Sequence, residues 1–506
     1  MHPNGHNEFS GERYQQQYYH KFPNRDSDPG PMGAKMTIAT VILAAGLGKR
    51  MKSKRAKVLH PIAGRPMILY SVEAARRLPS DKILVVVAHQ AEAVKQVLEG
   101  QPTQIIHQGR PLGTGHAVLQ TQAALANFPG PVLILNADVP LIKVETIRSM
   151  LKTHQDHDNE LTLLTGRFSD PKGYGRVIRN PAGDLLSIVE EADATPAQRA
   201  LREINTGFYV ANAPFLFSAL KELTSDNSQH EYYLTDIVQI AVRQGLKLGA
   251  VEVPDSEEVM GINTREDLAR IERAVRGRIA ERHLSEGVTL LDPASTWIDA
   301  DVTIGRDTLI YPNVYLEGSS RIGEDCVIHS HTRINNCRLE TAVTVLDSCV
   351  LNESVLEEGA TVGPFAHLRP GTFLHKGAKI GNFVEVKKTE MGEKSKANHL
   401  TYLGDATIGK EVNIGAGTII CNYDGVHKHK TIIEDHVFVG SDTQLVAPVR
   451  IGRGAVIGAG STITQDVPPD SLAVGRAKQE IKKNWAKRKK KAKGIIKEEM
   501  VKPRKE

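Results

Sequence analysis

No stretch of this chain stays apolar for the roughly 18 residues a membrane-spanning helix needs, and no signal-peptide core stands near its N-terminus. A membrane or exported protein is therefore not expected. Four cysteines in 506 residues, Cys326, Cys337, Cys349 and Cys421, show neither Cys-x-x-Cys spacing nor the density of a disulfide scaffold. That usage fits a reducing, cytoplasmic setting. Net positive charge is lacking until the end of the chain: of a net charge of +5, Arg476 to Glu506 contributes roughly +10, leaving the remainder slightly acidic. This basic stretch shows no pattern of interleaved aromatic residues, Trp485 being its single one, so it reads as a solvated tail and specific nucleic-acid recognition is not expected. Residues 1 to 35, rich in His, Gln, Tyr, Asn and Pro, read as a disordered leader or as a mis-called start before Met36.

A chain this long exceeds one compact core, so two or three domains are expected. The most telling segment is Leu43-Ala44-Ala45-Gly46-Leu47-Gly48-Lys49-Arg50-Met51, followed by Lys57. The run Thr37 to Leu43 before it is apolar and partly β-branched, which predicts a buried strand feeding a loop. Gly46 and Gly48 allow main-chain N–H groups to face an anion, and Arg50 and Lys57 add positive charge. Strand, glycines, arginine and lysine in this order point to a loop that holds a nucleoside triphosphate.

From Met36 to about Asn263, β-branched runs such as Ile83 to Val87 and Val132 to Asn136 alternate with helical patterns such as Ala91 to Glu99. This predicts an α/β domain with βαβ units and a mostly parallel, Rossmann-like sheet, whose ligands sit at the carboxyl ends of strands. Asp138, just past the Val132 strand, is placed to hold a metal beside phosphates, or else to serve as a turn or cap carboxylate. Arg265 to about Glu286 reads as a charged amphipathic helix with Leu268, Ile271, Ala274 and Val275 on one stripe, joining two domains.

Beyond Val288 an aliphatic residue followed by Gly or another small residue recurs about every six positions, as in Val302-Thr303-Ile304-Gly305, Ala360-Thr361-Val362-Gly363 and Ala455-Val456-Ile457-Gly458. Such a hexapeptide repeat predicts a parallel β-helix with the aliphatic residues stacked inside. A thin coil buries little surface per repeat, so association into an oligomer is expected. The period breaks between Thr418 and Lys430, and an insertion there marks a second active site. The resulting division is a leader at 1–35, a nucleotide-binding α/β domain at 36–264, a linker helix at 265–287, a β-helix at 288–476 and a tail at 477–506.

With these patterns together, the stretch from Thr37 to about Arg476 resembles the bacterial bifunctional N-acetylglucosamine-1-phosphate uridylyltransferases and glucosamine-1-phosphate N-acetyltransferases. The resemblance implies that 36–264 is a nucleotidyltransferase domain, and further a left-handed β-helix, a homotrimer, UTP and acetyl-CoA as co-substrates, Mg²⁺ as cofactor, and UDP-N-acetylglucosamine as the product that feeds cell-wall synthesis. Leu43, Ala44, Ala45, Gly46, Arg50 and Lys57 match the phosphate loop, with Arg50 and Lys57 in catalytic roles. Gln108, Gly113 and Thr114 match the uracil-reading segment, and Asp138 and Asn263 the Mg²⁺ ligands. Gly175, Glu190 and Asn205 match the sugar contacts. In the coil, Arg369, Lys387, Tyr402, Asn413 and Lys428 match the binding site for glucosamine-1-phosphate. Ala416, Asn422, Tyr423, Ser441, Ala459 and Arg476 match that for acetyl-CoA, and His399 the general base.

Two positions depart from the family pattern. Ala56 stands before Lys57 where proline is expected, and Asn136-Ala137 precedes Asp138 where an aromatic or small residue and then glycine are usual. An alternative reading is a sugar-1-phosphate nucleotidyltransferase with one activity and a structural or regulatory β-helix. Against it stands the group Arg369, Lys387, His399, Tyr402, Asn422 and Lys428, which a purely structural coil does not need. A non-enzymatic scaffold would likewise not need Lys57, Asp138 and Asn263 together. Since no residue of the first site lies beyond Asn263, a fragment ending in the linker helix is expected to retain uridylyl transfer.

Overall fold

The computed structural model describes residues 37–493; the expected leader and the tail beyond Lys493 lie outside them. Seven strands form the main path of the first sheet: β1 (Ile38–Leu43), β2 (Ser80–Val87), β3 (Gln104–His107), β4 (Pro131–Asn136), β5 (Leu161–Arg167), β6 (Glu203–Asn212) and β7 (Leu248–Glu252), in the order β7-β5-β6-β4-β1-β2-β3. All run parallel except β6, which opposes both β4 and β5. A hairpin of Arg176–Arg179 and Leu185–Val189 extends from β6.

The continuous apolar runs in β1, β2 and β4 follow from burial on both faces. Ala39 and Val41 point into one core and Ile38 and Ile42 into the other; Val132 and Ile134 are likewise opposed to Leu133 and Leu135. Helices Ile68–Arg76 and Val144–Asp156 cover one face through Ile68, Val72, Ile147 and Met150. Helices Ala213–Glu222 and Asp236–Arg243 cover the other through Leu216, Leu220, Ile237 and Ile240. Because Leu43 lies beside Asn136, the loop after β1 and the turn carrying Asp138 leave the sheet side by side.

The long helix Arg265–Ser285 opens on a reciprocal cap, with Thr264 accepting from the Asp267 N–H and Asp267 from the Thr264 N–H. Its Ile271, Val275 and Ile279 are buried, and Leu268 and Ala274 pack at the margin of the same core. That core runs from Met51 and Ile62 of the first half to Val302 and Ile304 of the coil, so the two halves share one apolar seam.

From Thr289 onward the chain winds into a parallel β-helix of two- and three-residue strands. Three ladders stack along it, one for each side of the coil: Thr361↔Lys379↔Lys396↔Asn413↔Phe438, Val350↔His367↔Glu385↔Tyr402↔Ile419, and Phe373↔Glu390↔Thr407↔Ile432. Ile304, Ile322, Leu339, Leu356, Leu374, Met391, Ile408, Ile433 and Ile451 form one internal column. Small polar residues close the corners, their buried hydroxyls bonded to a carbonyl of the next turn, as with Thr308 to Gly323 at 2.8 Å and Ser395 to Gly409 at 2.7 Å. Cys326 fills such a corner, and all four thiols are free.

One boundary differs from the sequence expectation. Strand Ile419–Cys421 still belongs to the ladder, with Ile420 buried in the coil, so the excursion begins at Asn422 and ends where Thr431 pairs with Ala406. An aliphatic residue inside the coil keeps the strand in register although the hexapeptide spelling has already lapsed. Helix Trp485–Ala492 of the basic tail has no buried residue.

Candidate active sites

Past β1 the chain turns sharply. Gly48 is left-handed, with φ of 59°, and a Cβ there would stand 2.8 Å from that of Lys57. The glycine thus lets the lysine backbone approach the loop. Gly46, by contrast, has no left-handed φ and no atom within 4 Å of where a Cβ would be. Among the described residues the N–H groups of Ala45, Gly46 and Leu47 find no acceptor, whereas that of Ala44 is bonded to Val86 at 2.9 Å. Free amides next to a cation are what an anion requires.

Lys57 forms an ion pair with Asp138 and also reaches the Asn263 side-chain oxygen at 3.4 Å; Arg50 donates to that same oxygen at 3.0 Å. Two oxygens from distant parts of the chain therefore converge on one cationic point. The Ile262 N–H bonds to the Asp138 carbonyl at 2.9 Å, the Gly261 N–H to the Tyr174 hydroxyl at 3.0 Å and the Asn263 N–H to Asp267 at 3.0 Å. Asn263 is thus held by the cap of the long helix. Asp138 lies in a turn and caps no helix.

Gln108 is buried and donates to the Gly113 carbonyl at 3.0 Å, while Thr114 accepts from the Leu234 N–H at 3.0 Å. Gly175, Glu190 and Asn205 come together on another side: the Asn205 N–H bonds to the Gly175 carbonyl at 2.9 Å, and a Cβ on Gly175 would lie 3.5 Å from the Glu190 carboxylate. Burial of that carboxylate pushes its pKa above the usual range, against a hydrogen bond from Thr235 at 3.3 Å. Asn136 donates to the Thr206 carbonyl at 3.3 Å, and its neighbour Ala137 is wholly buried. The unusual dipeptide is therefore accommodated, one residue bridging toward the Asn205 loop and the other filling core. Ala56, where proline is usual, donates its N–H to Gln90 at 2.7 Å, a bond that proline could not make.

In the coil, Arg369 is paired with Glu385 at 2.8 Å, and its N–H bonds to the Val386 carbonyl beside Lys387. The Lys428 ammonium next to Lys387 pushes the Lys387 pKa down, a conflict of like charges that a bound dianion would relieve. Tyr402 follows Glu385 on the same ladder. His399 stands opposite Asn382 and is hydrogen-bonded to it through Nδ1.

Ladder register also explains Ala416, Ser441 and Ala459. Each lies three residues beyond a member of the series Lys396, Asn413, Phe438 and Val456, as His399 does. The four therefore occupy one column on successive turns. The Ser441 carbonyl accepts from Gly460 at 2.8 Å, and Arg476 donates to the Ala459 carbonyl. Asn413 belongs to this ladder and not to the one carrying Tyr402, so a single chain does not bring it to the Arg369–Lys387 group.

Asn422 opens the excursion with a hydrogen bond to Asp405, and exposed Tyr423 donates to the Gly425 carbonyl at 2.6 Å. Asp424, which sequence reasoning missed, ties the loop together. It accepts from the N–H groups of His427 at 2.6 Å and Val426 at 2.7 Å and from His429 at 2.6 Å, which together draw its pKa down to about 2. Also missed were Asn382, legible by aligning the turn before His399, and Asp267, legible as the third residue after the Thr264 cap.

A model of the MobA-like NTP transferase domain matches residues 40–230, and one of the bacterial transferase hexapeptide, six repeats, matches 301–351 and 430–465. Relatives named bifunctional protein GlmU match almost end to end. That of Geotalea uraniireducens is 50% identical over 454 residues, covering 90% of this chain and 99% of its own length. That of Pelobacter propionicus is 51% identical over 455 residues with the same coverage, and that of Geobacter metallireducens 50% over 466, covering 88% and 98%.

Proposed function

Because this chain belongs to the family of bifunctional GlmU proteins, joining a uridylyltransferase to an acetyltransferase, we propose that Lys57, Asp138 and Asn263 mark the first active site and His399 the second. On this reading residues 36–264 and 288–476 are the catalytic domains and 265–287 joins them. The coil acetylates glucosamine-1-phosphate from acetyl-CoA, and the first domain then transfers UMP from UTP to the product. The observation that carries the first assignment is the convergence of Asp138 and Asn263 on the Lys57 ammonium.

A carboxylate and an amide oxygen are hard donors of the kind Mg²⁺ takes, so Asp138 and Asn263 fit as its protein ligands. Bound there, Mg²⁺ would supply positive charge to the phosphates. Arg50, Lys57 and the free N–H groups of Ala45, Gly46 and Leu47 neutralise charge on the triphosphate. A phosphate oxygen of N-acetylglucosamine-1-phosphate attacks the α-phosphorus, the bond to the β-phosphate oxygen breaks, and pyrophosphate leaves. No protein nucleophile is required, since the attacking oxygen is already ionised. Gln108, Gly113 and Thr114 read the uracil, and Gly175, Glu190 and Asn205 the sugar.

At the second site, Asn382 accepts from His399 Nδ1–H, which leaves Nε2 basic. As the substrate amine attacks the thioester carbonyl, Nε2 removes its proton and the C–S bond to CoA breaks. Arg369, Lys387 and Lys428 hold the sugar phosphate. The column Ala416, Ser441 and Ala459 leads from His399 toward Arg476, a path for acetyl-CoA flanked by Asn422 and Tyr423.

A homotrimer acting in the cytoplasm completes this reading. In its support, Phe365, Phe383 and Leu400 form an outward ridge on three consecutive turns, 52, 56 and 61% exposed. All three are left-handed, a strained conformation for bulky residues that a covering partner would justify. The separation of Asn413 from the Arg369 group points the same way. None of the described helices is long and apolar enough to cross a membrane.

The test is product analysis by mass spectrometry with glucosamine-1-phosphate, acetyl-CoA, UTP and Mg²⁺, omitting one component at a time. UDP-N-acetylglucosamine is expected only from the complete mixture. His399→Ala is expected to abolish acetyl transfer alone and Asp138→Ala uridylyl transfer alone. Loss of both activities in either folded variant would refute the residue assignment.

A further inference from the structure

The phosphate loop does not end freely. Six residues beyond Lys57 the chain makes a tight hairpin, Pro61–Ile62 against Arg65–Pro66, turning at Ala63 and Gly64 with φ of 44° and 74°. This turn presses on the coil. The Ala63 carbonyl accepts from the Ala300 N–H at 2.8 Å, Arg65 pairs with Asp301, and a Cβ on Gly64 would lie 2.3 Å from the Asp299 carboxylate. Asp299 is itself fixed by the Gly318 N–H at 2.8 Å, on the next turn. The Ala63 N–H meanwhile bonds to Glu272 of the long helix, at 3.1 and 3.0 Å to its two oxygens.

The other end of the loop is held from the same quarter. Arg265, the first residue of the long helix, donates to the Met51 carbonyl at 3.2 Å and lies 3.2 Å from His60 Nδ1. Met51, Ile62, Ala63 and Met67 are all buried in the seam that continues into Val302 and Ile304. The segment carrying Arg50 and Lys57 is therefore anchored outside its own sheet, on the helix and the first turn of the coil.

We propose that Asp301 and Asp299 are positioning residues for uridylyl transfer, acting through the Ala63-Gly64 hairpin to set Lys57 and Arg50 against Asp138 and Asn263. The inference rests on the first-site assignment above. A cation misplaced by an ångström loses much of its effect on a phosphoryl transition state, even when the misplacement originates remotely. The contacts are directional: an ion pair, a backbone hydrogen bond and a close approach that only glycine permits. Asp301 touches none of the residues assigned to acetyl transfer.

The experiment uses the full chain. Asp301→Arg is expected to lower uridylyl kcat/KM about tenfold or more, with acetyl transfer unchanged, and the swap Arg65→Asp with Asp301→Arg is expected to restore most of the loss. Asp138→Ala serves as the control. If it stays active, the site assignment itself fails; if it is inactive while Asp301→Arg matches the parent, only the positioning role fails. Should Asp301→Arg not fold, Asp301→Asn decides: a lower uridylyl kcat at an unchanged melting temperature supports the role, and parental kcat overturns it. A loss that the swap does not restore also overturns it.

Discussion

His399 and Asn382 face each other across one rung of the coil, a turn apart, with the imidazole Nδ1 hydrogen-bonded to the amide oxygen. An amide oxygen can only accept, so the contact selects the tautomer with its proton on Nδ1 and leaves Nε2 as the basic nitrogen.

Removing that partner frees the ring. Asn382→Ala is expected to lower acetyl-transfer kcat by about 10- to 100-fold, with uridylyl transfer intact. In Asn382→Asp the carboxylate favours the imidazolium, so the acid limb of the kcat profile moves to higher pH. A pH–rate series on both variants checks this, and an unmoved limb in Asn382→Asp would sink the assignment.

On the proposed first-site assignment, Glu190 trades stability for binding. Burial raises its pKa, so the folded state holds the proton more tightly than the unfolded one. Its favourable contribution is present below the ordinary Glu value and is lost as pH rises through the folded value. Glu190→Gln is expected to gain on the order of 1 kcal/mol at neutral pH while losing uridylyl transfer. Thermal melts from pH 4 to 8 should show the two proteins diverging as pH rises.

The fragment expectation changes with the structure. A chain ending at Glu286 keeps every assigned uridylyl residue but uncovers Ile271, Val275 and Ile279 and loses Asp299 and Asp301. Exposing those aliphatic side chains costs about 4.5–9 kcal/mol if they become fully exposed. Such a fragment is expected to melt earlier and transfer uridylyl more slowly than one continued to Glu340. Equal melting and equal rates would show that the seam is dispensable.

Three of the four thiols should be inert. Burial pushes Cys337 up to about 12, Cys349 to about 11, and Cys326 upward as well, whereas Cys421 is half-exposed just before the excursion that opens at Asn422. Native alkylation at pH 8, mapped by peptide mass analysis, is expected to modify Cys421 alone and to slow acetyl transfer. Modification at Cys337 before unfolding would contradict the packing.

Much was legible in the sequence because it is local or periodic. The alternation of apolar runs and helical patterns specifies a parallel sheet, since strands buried on both faces must be apolar throughout. The six-residue period specifies a stacked coil, since each short strand must place an aliphatic side chain inside. Gly48 and Lys57 could be read together because they are close along the chain. Relations between distant segments carried no such period. That Asn263 meets Lys57, that Asn382 orients His399, that Ala416, Ser441 and Ala459 share one column with His399, and that Asp301 reaches back to Arg65 depend on ladder register and on how the long helix seats the coil. Local sequence dictates which elements form, because φ/ψ preference and burial pattern act over a few residues. Tertiary packing alone decided which side chains meet, because hydrogen bonds and ion pairs depend on distance in space and not on separation along the chain.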